Sequence, residues 1–549
     1  MPKMTGAEAI IKSLRQYGVD TIFALPGGQL DHLFDAMYKE GDDIQLVHSR
    51  HEQGVAYMAY GYAKSTGKVG VYAVVPGPGL LNSSAALCTA WGSNAQVLCI
   101  SGQIPSHAIG KGYGDLHEIN DQLGMIRHIT KWAERIEHPS YTPAIIDEAM
   151  RQLHTGRPRP VEIEMAMDLM GDTAEVILPT PPQAYAKPPV DMDLVEEAAK
   201  ILGKAKKPLI VVGSGATDAG AEVLAIAEAL QAPVLSKRSG KGIISARHYL
   251  HANSPMGHAL WAEADAVLAV GTRIKEQLMM WGKDDEMKVV RIEIDPVEMT
   301  RIHIPEVGIM GDAVLTLQAL QPLLEKNNIK RASRKDEMLS LREKVYGEIR
   351  AHAAPQMAYL DVIRDVLPDD GIFVDEVTQV GFVSWYGFQT YAPRQHITAG
   401  EMGTLGFGFP TALGVAVGNP DKKVVQISGD GGFMFNVQEL SIAAQYNIPL
   451  VSIIFNDNKF TNVQRQQDEW FDGRRICSDL HNPDFAKLAE LYGIDGYHAD
   501  SPASLKEKLE LAFNKSGPAI IEVSVTERMP SPWKFIMMPQ QRGQLCGQR

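Results

Sequence analysis

The chain has 549 residues, too many for one core of ordinary size and a good fit to three domains. Its formal net charge is −13 and it carries no basic tract, which argues against a nucleic-acid partner. No apolar run is long enough to span a bilayer, the N-terminus has no signal-peptide pattern, and Cys88, Cys99, Cys477 and Cys546 lack metal-type spacing. A reduced, cytoplasmic protein with no membrane partner is therefore expected.

Thr5-Gly-Ala-Glu8 spells a capping box, and Ala9, Ile10, Leu14 and Tyr17 give the following helix an apolar stripe that Gly18 ends. Thr21 to Leu25 reads as a short strand ending in Pro26-Gly27-Gly28-Gln29; a helix and the strand Ile44 to His48 follow. This strand–turn–helix alternation predicts an α/β fold, with central, mostly parallel sheets flanked by helices. Ser49-Arg-His-Glu52-Gln-Gly54 opens a helix that is small and apolar nearly all round, hence buried. Ser49 as N-cap with Glu52 at the third position would form a second capping box; otherwise Glu52 must point away from its own backbone. The strand Val69 to Val75 ends in the turn Pro76-Gly77-Pro78-Gly79, with Asn82 starting the next helix. Gln96 to Ile100 is a strand before Gly102-Gln103-Ile104-Pro105, and a glycine-rich run from Gly110 to Glu118 contains His117. The strand Pro160 to Glu164 closes a first domain, 1–178.

The proline-rich linker Leu178 to Gln183 leads to a second domain, 185–325, with a helix near Leu194 and strands at 208–212, 266–270 and 289–294. Gly213-Ser-Gly215 follows the first of these, but position 218 is Asp. The expectation is a dinucleotide-type fold without the dinucleotide fingerprint. Residues 326–354 read as a charged linker helix, solvated on most faces, before a third domain, 355–549. There a strand from Gly371 to Asp375 precedes Thr378-Gln379, and Gly400 to Gly408 is a glycine-rich helix entrance. The apolar strand Val424 to Ile427 ends in Gly429-Asp430-Gly431-Gly432, a loop whose backbone N–H groups can approach an anion. A helical pattern (Val437, Leu440, Ile442, Ala443) follows, stopped by Asn447-Ile448-Pro449; the strand Leu450 to Phe455 then delivers Asn456-Asp457-Asn458-Lys459. Such a β–loop–α–β unit brings the carboxyl ends of two parallel strands together. Asp430 and Asp457, 27 positions apart, could then share one hard cation beside the glycine N–H donors, as a diphosphate–magnesium site does. The alternative is a surface βα loop with incidental acids.

Gly429-Asp430-Gly431 with Asn456-Asp457 at this spacing resembles the diphosphate-binding signature of thiamine-diphosphate enzymes. The superfamily is that of acetohydroxyacid (acetolactate) synthase, benzoylformate decarboxylase and pyruvate decarboxylase, and the chain looks most like acetolactate synthase large subunits. The resemblance implies thiamine diphosphate held by Mg2+ on Asp430, Asp457 and the backbone carbonyl of Lys459, with Gly429, Gly431 and Gly432 at the diphosphate. The family usually has asparagine where this chain has Asp457, so one extra negative charge enters the site. His51-Glu52-Gln53-Gly54 resembles the family's HEQG motif, which makes Glu52 the cofactor-activating glutamate, hydrogen-bonded to the pyrimidine ring nitrogen. Pro76, Gly79 and Asn82 match the loop beside the cofactor ring, and Thr378 and Gln379 the diphosphate contacts. Gly403 and Leu405 match the loop under the aminopyrimidine, with Leu405 as the wedge that bends the cofactor.

The chain departs from the family at several points. Val75 and Pro76 stand where related decarboxylases carry histidine or serine. Leu116 and His117 replace a phenylalanine–glutamine pair, making His117 a candidate proton shuttle, with a structural or surface role as the alternative. Gln464 and Gln466 stand where acetohydroxyacid synthases carry the arginine and tryptophan that select the second 2-oxo acid, so both are acceptor-side candidates, with Gln466 taken as the catalytic one. The Pro26-Gly27-Gly28 turn lacks the acid of aldehyde-releasing decarboxylases. The resemblance thus implies decarboxylation of a small 2-oxo acid with carboligation. A non-ligating decarboxylase, a C–C lyase on an aromatic or acyl-CoA substrate, and an inactive scaffold are the alternatives. Some relatives hold a flavin in the middle domain; no residue here demands FAD, which stays open and is not predicted. Sites shared between first and third domains of different subunits imply a homodimer or homotetramer. The tail around Pro530-Ser-Pro-Trp533 is long enough to close as a lid, with a disordered end as the alternative.

Overall fold

The computed structural model describes residues 2–547 and divides them among three six-stranded, all-parallel sheets. The first runs, edge to edge, Gln45–His48, Thr21–Ala24, Gly70–Val74, Val97–Gln103, Val161–Ala166, Trp132–Ile136. The third runs His396–Ile397, Ile372–Val374, Val424–Gly429, Val451–Asn456, Ala519–Ser524, Asp495–Ala499. Numbered within its own domain, each follows the order 2-1-3-4-6-5, so the two domains are topological copies. The middle sheet has the order 3-2-1-4-5-6, the doubly wound dinucleotide-type order expected of it. The strands are mostly apolar because helices cover both faces of a parallel sheet, with Glu162, Glu164, Arg291 and Glu522 among the buried exceptions. Among the described residues no helix is long and apolar enough to cross a membrane.

Several local expectations change. The capping box at Thr5 and Glu8 forms, and Lys3–Thr5 adds an unforeseen antiparallel pair with Thr173–Glu175 that pins the start of the chain to the end of its first domain. The strand at 97 continues through Gly102 and Gln103. Asn82 closes the one-turn helix Pro78–Asn82 instead of opening a helix. The helix expected after Gly432 is broken: Asn436 leaves helical geometry (φ −133°, ψ 28°) so that its amide can donate to the Gly406 carbonyl at 2.7 Å. The linker helix is Lys335–His352, and it buries Met338, Val345, Tyr346 and Ile349 instead of standing free. The tail is an ordered strap. Gln356 Nε2 donates to the Pro530 carbonyl (2.8 Å), and Arg542 reaches Asp284 of the middle domain (2.7 Å).

The first and third domains meet through the helices Glu52–Thr66 and Gly408–Gly418. Backbones touch here. A β-carbon on Gly61 would lie 2.1 Å from the Thr411 carbonyl oxygen, and one on Gly414 would lie 1.9 Å from that of Met58. Only glycine allows that approach. Gly414→Ala should therefore lower the apparent melting temperature by several degrees, corresponding to about 1–3 kcal/mol of overpacking. Gly347→Ala, on an exposed helix with nothing within 4 Å of the added carbon, should leave it unchanged or raise it. Scanning calorimetry of both variants distinguishes these outcomes.

Candidate active site

The third-domain strands Ile372–Val374, Val424–Gly429 and Val451–Asn456 end side by side, and their following loops wall a cleft of about 180 Å³. Thr378, Gln379, Leu405, Gly429, Asp430, Gly431, Gly432, Asp457 and Lys459 all line it. These residues come from four separate stretches of sequence. Asp430 is buried and its carboxyl is pushed up to about 6, first by desolvation and then by the Asp457 charge. Burial also raises Asp457, against the lowering effect of the Thr461 hydroxyl and the Lys459 N–H. Two buried acids beside one another, with Lys459 as the cation acting on Asp457, are a donor set suited to a hard dication. The peptide of Lys459 is fixed by its neighbours: Leu480 N–H donates to the Asn458 carbonyl and Phe460 N–H to that of Ser478.

Four residues that sequence reading missed hold this cleft in shape. Glu376 is fully buried, accepts from Gly406 N–H (2.7 Å), Gly408 N–H (3.1 Å) and Ser428 Oγ (2.6 Å), and is pushed up to about 7 by burial. It thereby ties the loop at 403–408 to the strand that carries the diphosphate motif. Asn482 donates to Asp430 Oδ2 at 2.6 Å, and Glu522 holds the Asn456 amide at 2.8 Å. Arg465 Nη2 donates to Gln379 Oε1 (3.2 Å) and to the Met529 carbonyl (2.7 Å). These bonds join residues 30 to 86 positions apart, so no local signal marks these four.

Gly403 and Gln466 do not line the cleft. Gly403 sits at φ +56° in its loop. Gln466 is half-buried on the helix Thr461–Trp470, one turn from cleft-lining Val463 and on the same face. Gln464 is buried, its amide donates to Asp479 at 3.2 Å, and it does not line the cleft either.

The predicted first-domain residues gather at the carboxyl ends of their own sheet. Glu52 is the first residue of its helix, and the alternative reading, a Ser49 capping box, does not form. His51 caps instead, its Nδ1 accepting from Gln53 N–H at 3.1 Å. Ser49 Oγ is drawn to Glu439 Oε1 (2.9 Å), a buried carboxylate of the third domain raised to about 7 by desolvation, which also accepts from Arg50 N–H. Glu52 is thereby freed from its own backbone. Its Oε2 accepts from Asn82 Nδ2 at 2.9 Å, and its Oε1 faces Gly79. The Pro76–Gly79 turn is anchored by Gln122, whose Oε1 accepts from Gly77 N–H at 2.8 Å. His117 lies against this turn. None of Glu52, Pro76, Gly79, Asn82 and His117 lines the third-domain cleft of the same chain.

A larger cleft, about 500 Å³, lies at the middle sheet's switch point, between the loops at Gly213 and Gly271. It gathers several bases, but some are already neutralised: Lys237 by Glu276 (2.6 Å), Arg238 by Glu401 (3.1 Å) and Arg394 by Asp218 (2.7 Å).

Two topologically matched sheets, one presenting a free glutamate and the other paired acids beside a glycine loop, define a cofactor-dependent α/β enzyme with a split site. Comparison with known proteins gives the family. Residues 4–125 match the thiamine pyrophosphate enzyme N-terminal TPP-binding domain, 195–320 the central domain and 376–523 the C-terminal TPP-binding domain. The chain is 33% identical to a probable acetolactate synthase large subunit of Methanococcus aeolicus, over 95% of this chain and 92% of that protein. It is also 33% identical to an acetolactate synthase of Arthrospira platensis and to a probable 2-ketoarginine decarboxylase of Pseudomonas aeruginosa, each over 95% of this chain and 94% of the other. The chain belongs to the thiamine-pyrophosphate enzyme family and is an acetolactate-synthase-like enzyme of the carboligase/decarboxylase type.

Removing the Asp457 charge should let Asp430 ionise at lower pH. We expect Asp457→Asn to move the acid limb of Mg2+-dependent thiamine-diphosphate binding downward, from near pH 6. Tryptophan-fluorescence titrations from pH 5 to pH 8 read this directly; an unmoved or raised limb contradicts it.

Proposed function

We propose that this chain is a thiamine-diphosphate- and Mg2+-dependent enzyme that decarboxylates a small 2-oxo acid and joins the remaining acyl unit to a second carbonyl. The observation that carries the reading is the split site: a glutamate freed from its own backbone in one domain, and an acid pair beside a glycine loop in its topological twin. Bound thiamine diphosphate supplies an electron sink for the pair released on decarboxylation. Asp430, Asp457 and the Lys459 carbonyl would hold the metal. Asn82 restrains Glu52 Oε2 and leaves Oε1 to hold a proton at the pyrimidine nitrogen. Val463, Leu405 and Met529 make the cleft wall apolar and keep water from the reacting carbon.

The two half-sites do not meet within one chain, so a second copy is needed to complete each; we infer a homodimer or a dimer of dimers. Exposed apolar side chains beside both halves support this, with Leu81 and Leu116 on one and Phe435, Val463 and Phe471 on the other. A second reading, simple decarboxylation of a 2-oxo acid, is favoured by His117 beside the Pro76–Gly79 turn and by the relative named as a 2-ketoarginine decarboxylase. An acyl-CoA substrate is disfavoured, because a nucleotide diphosphate would have to compete with Glu276, Glu401 and Asp218 for the bases of the middle cleft. The same pairing gives no support to a flavin there.

Purified protein with thiamine diphosphate and Mg2+ should release carbon dioxide from at least one of pyruvate, 2-oxobutyrate, benzoylformate and glyoxylate. A hydroxyketone detected by NMR establishes carboligation, and aldehyde alone selects the second reading. Glu52→Gln should slow proton–deuterium exchange at the cofactor's C2 by at least about 100-fold while sedimentation shows the oligomer intact. Unchanged exchange in that variant would remove Glu52 from the mechanism.

A further inference from the structure

The run Gly110-Lys-Gly-Tyr-Gly-Asp-Leu-His117-Glu118 contains three glycines, all in the left-handed region (φ +74°, +67° and +79°). One carboxylate gathers it. Glu118 accepts from the N–H groups of Gly112 (2.9 Å), Gly114 (2.6 Å) and Asp115 (3.0 Å), and these bonds hold its carboxyl below the usual range. The loop so folded presents His117 at φ +70°, a conformation that a residue with a β-carbon rarely adopts unless its surroundings impose it.

The imposing group is Gln29. It follows the strand Thr21–Ala24, is only 4% exposed, and lies 88 positions from His117. Its Nε2 donates to the Leu116 carbonyl at 3.0 Å, and its Oε1 lies 3.1 Å from His117 Nδ1. These two bonds leave no freedom in the amide. A carbonyl can only accept, so the NH2 group must face Leu116. The oxygen then faces the imidazole, and an amide oxygen also can only accept. His117 Nδ1 must therefore carry the hydrogen, which leaves Nε2 as the basic nitrogen of the neutral ring. Among the described residues Nε2 has no hydrogen-bond partner. The His117 peptide packs on Gly77, in the same short turn whose Gly79 faces Glu52 Oε1, so the imidazole belongs to the glutamate half of the site.

We propose that Gln29 is a positioning residue that selects the Nδ1–H tautomer of His117, making Nε2 the atom that takes up and returns a proton during turnover. The assignment rests on the reading of the site given above. The proton balance closes: Nε2 would take the proton of a substrate-derived hydroxyl to give an imidazolium, still held at Nδ1–H by Gln29, and that imidazolium would return the same proton to the alkoxide oxygen formed when the next substrate carbonyl is attacked. Gln29 touches no reacting atom. It acts through the tautomer it imposes and through the loop position it fixes at Leu116.

The tautomer can be read without substrate or cofactor. Full-length protein labelled with 15N-histidine is sedimented for solid-state NMR, and the His117 signal is assigned by its loss in His117→Gln. The unmodified chain is expected to show a protonated Nδ1 and a bare Nε2. Gln29→Leu should lose that preference, and Gln29→Glu, which keeps an acceptor at the same place, should retain it. An Nε2–H tautomer in the unmodified chain overturns the proposal even if neither variant folds. An unchanged Nδ1–H tautomer in Gln29→Leu overturns it too. Gln29→Leu should also lower kcat on a turned-over 2-oxo acid by roughly 10- to 100-fold while C2 exchange persists. Loss of exchange as well would mean a merely structural role. C2 exchange in Glu52→Gln tests the cofactor reading separately, so the two failures can be told apart.

Discussion

Two helices cross with their backbones in direct contact, and the positions of both half-sites follow from that contact. One helix starts at Glu52; the other starts at Gly408, directly after the loop that holds Gly403 and Leu405. Because Gly61 meets the Thr411 backbone and Gly414 meets that of Met58, the helices can neither slide nor rotate without a steric clash. Glu439 extends the link, reaching from the third domain to Ser49 and Arg50 just ahead of Glu52. The start of the Glu52 helix is thus set by a residue of another domain.

Burial of acids is the second theme. Glu376, Glu439 and Asp430 all lie away from water, and desolvation is the largest influence on each. The first two are satisfied by backbone N–H and hydroxyl donors, which turns them into clasps between loops. Asp430 differs. It has Asn482 on one oxygen and a like charge beside it, and that imbalance suits a cation. One physical effect therefore yields structure at two positions and a candidate ligand site at the third.

The middle domain shows how a fold can outlast its usual fingerprint. Its sheet has the dinucleotide-type order and opens a cleft at the expected switch point. Asp218 stands where the motif would have its last glycine, and it pairs with Arg394 of the third domain. The cleft thus contributes to interdomain contact through the same bases that could otherwise attract a phosphate.

The chain's apolar runs and glycine punctuation by themselves determined the parallel strands, the three-domain division and the line of residues from Thr378 to Lys459 around the third-domain cleft. Those features depend on spacing within a few dozen residues, where strand and turn propensities act directly. The clasp residues were beyond such reading. Gln29, Glu376, Arg465 and Asn482 are ordinary polar side chains in sequence and acquire roles only when folding brings their distant partners within hydrogen-bond reach. For the same reason local patterns misled. Ser49 was free to cap its own helix until Glu439, 390 positions away, offered a buried acceptor. Only tertiary structure decided these cases, because a buried polar group goes to whichever partner lets it stay satisfied out of water, and sequence distance plays no part in that choice.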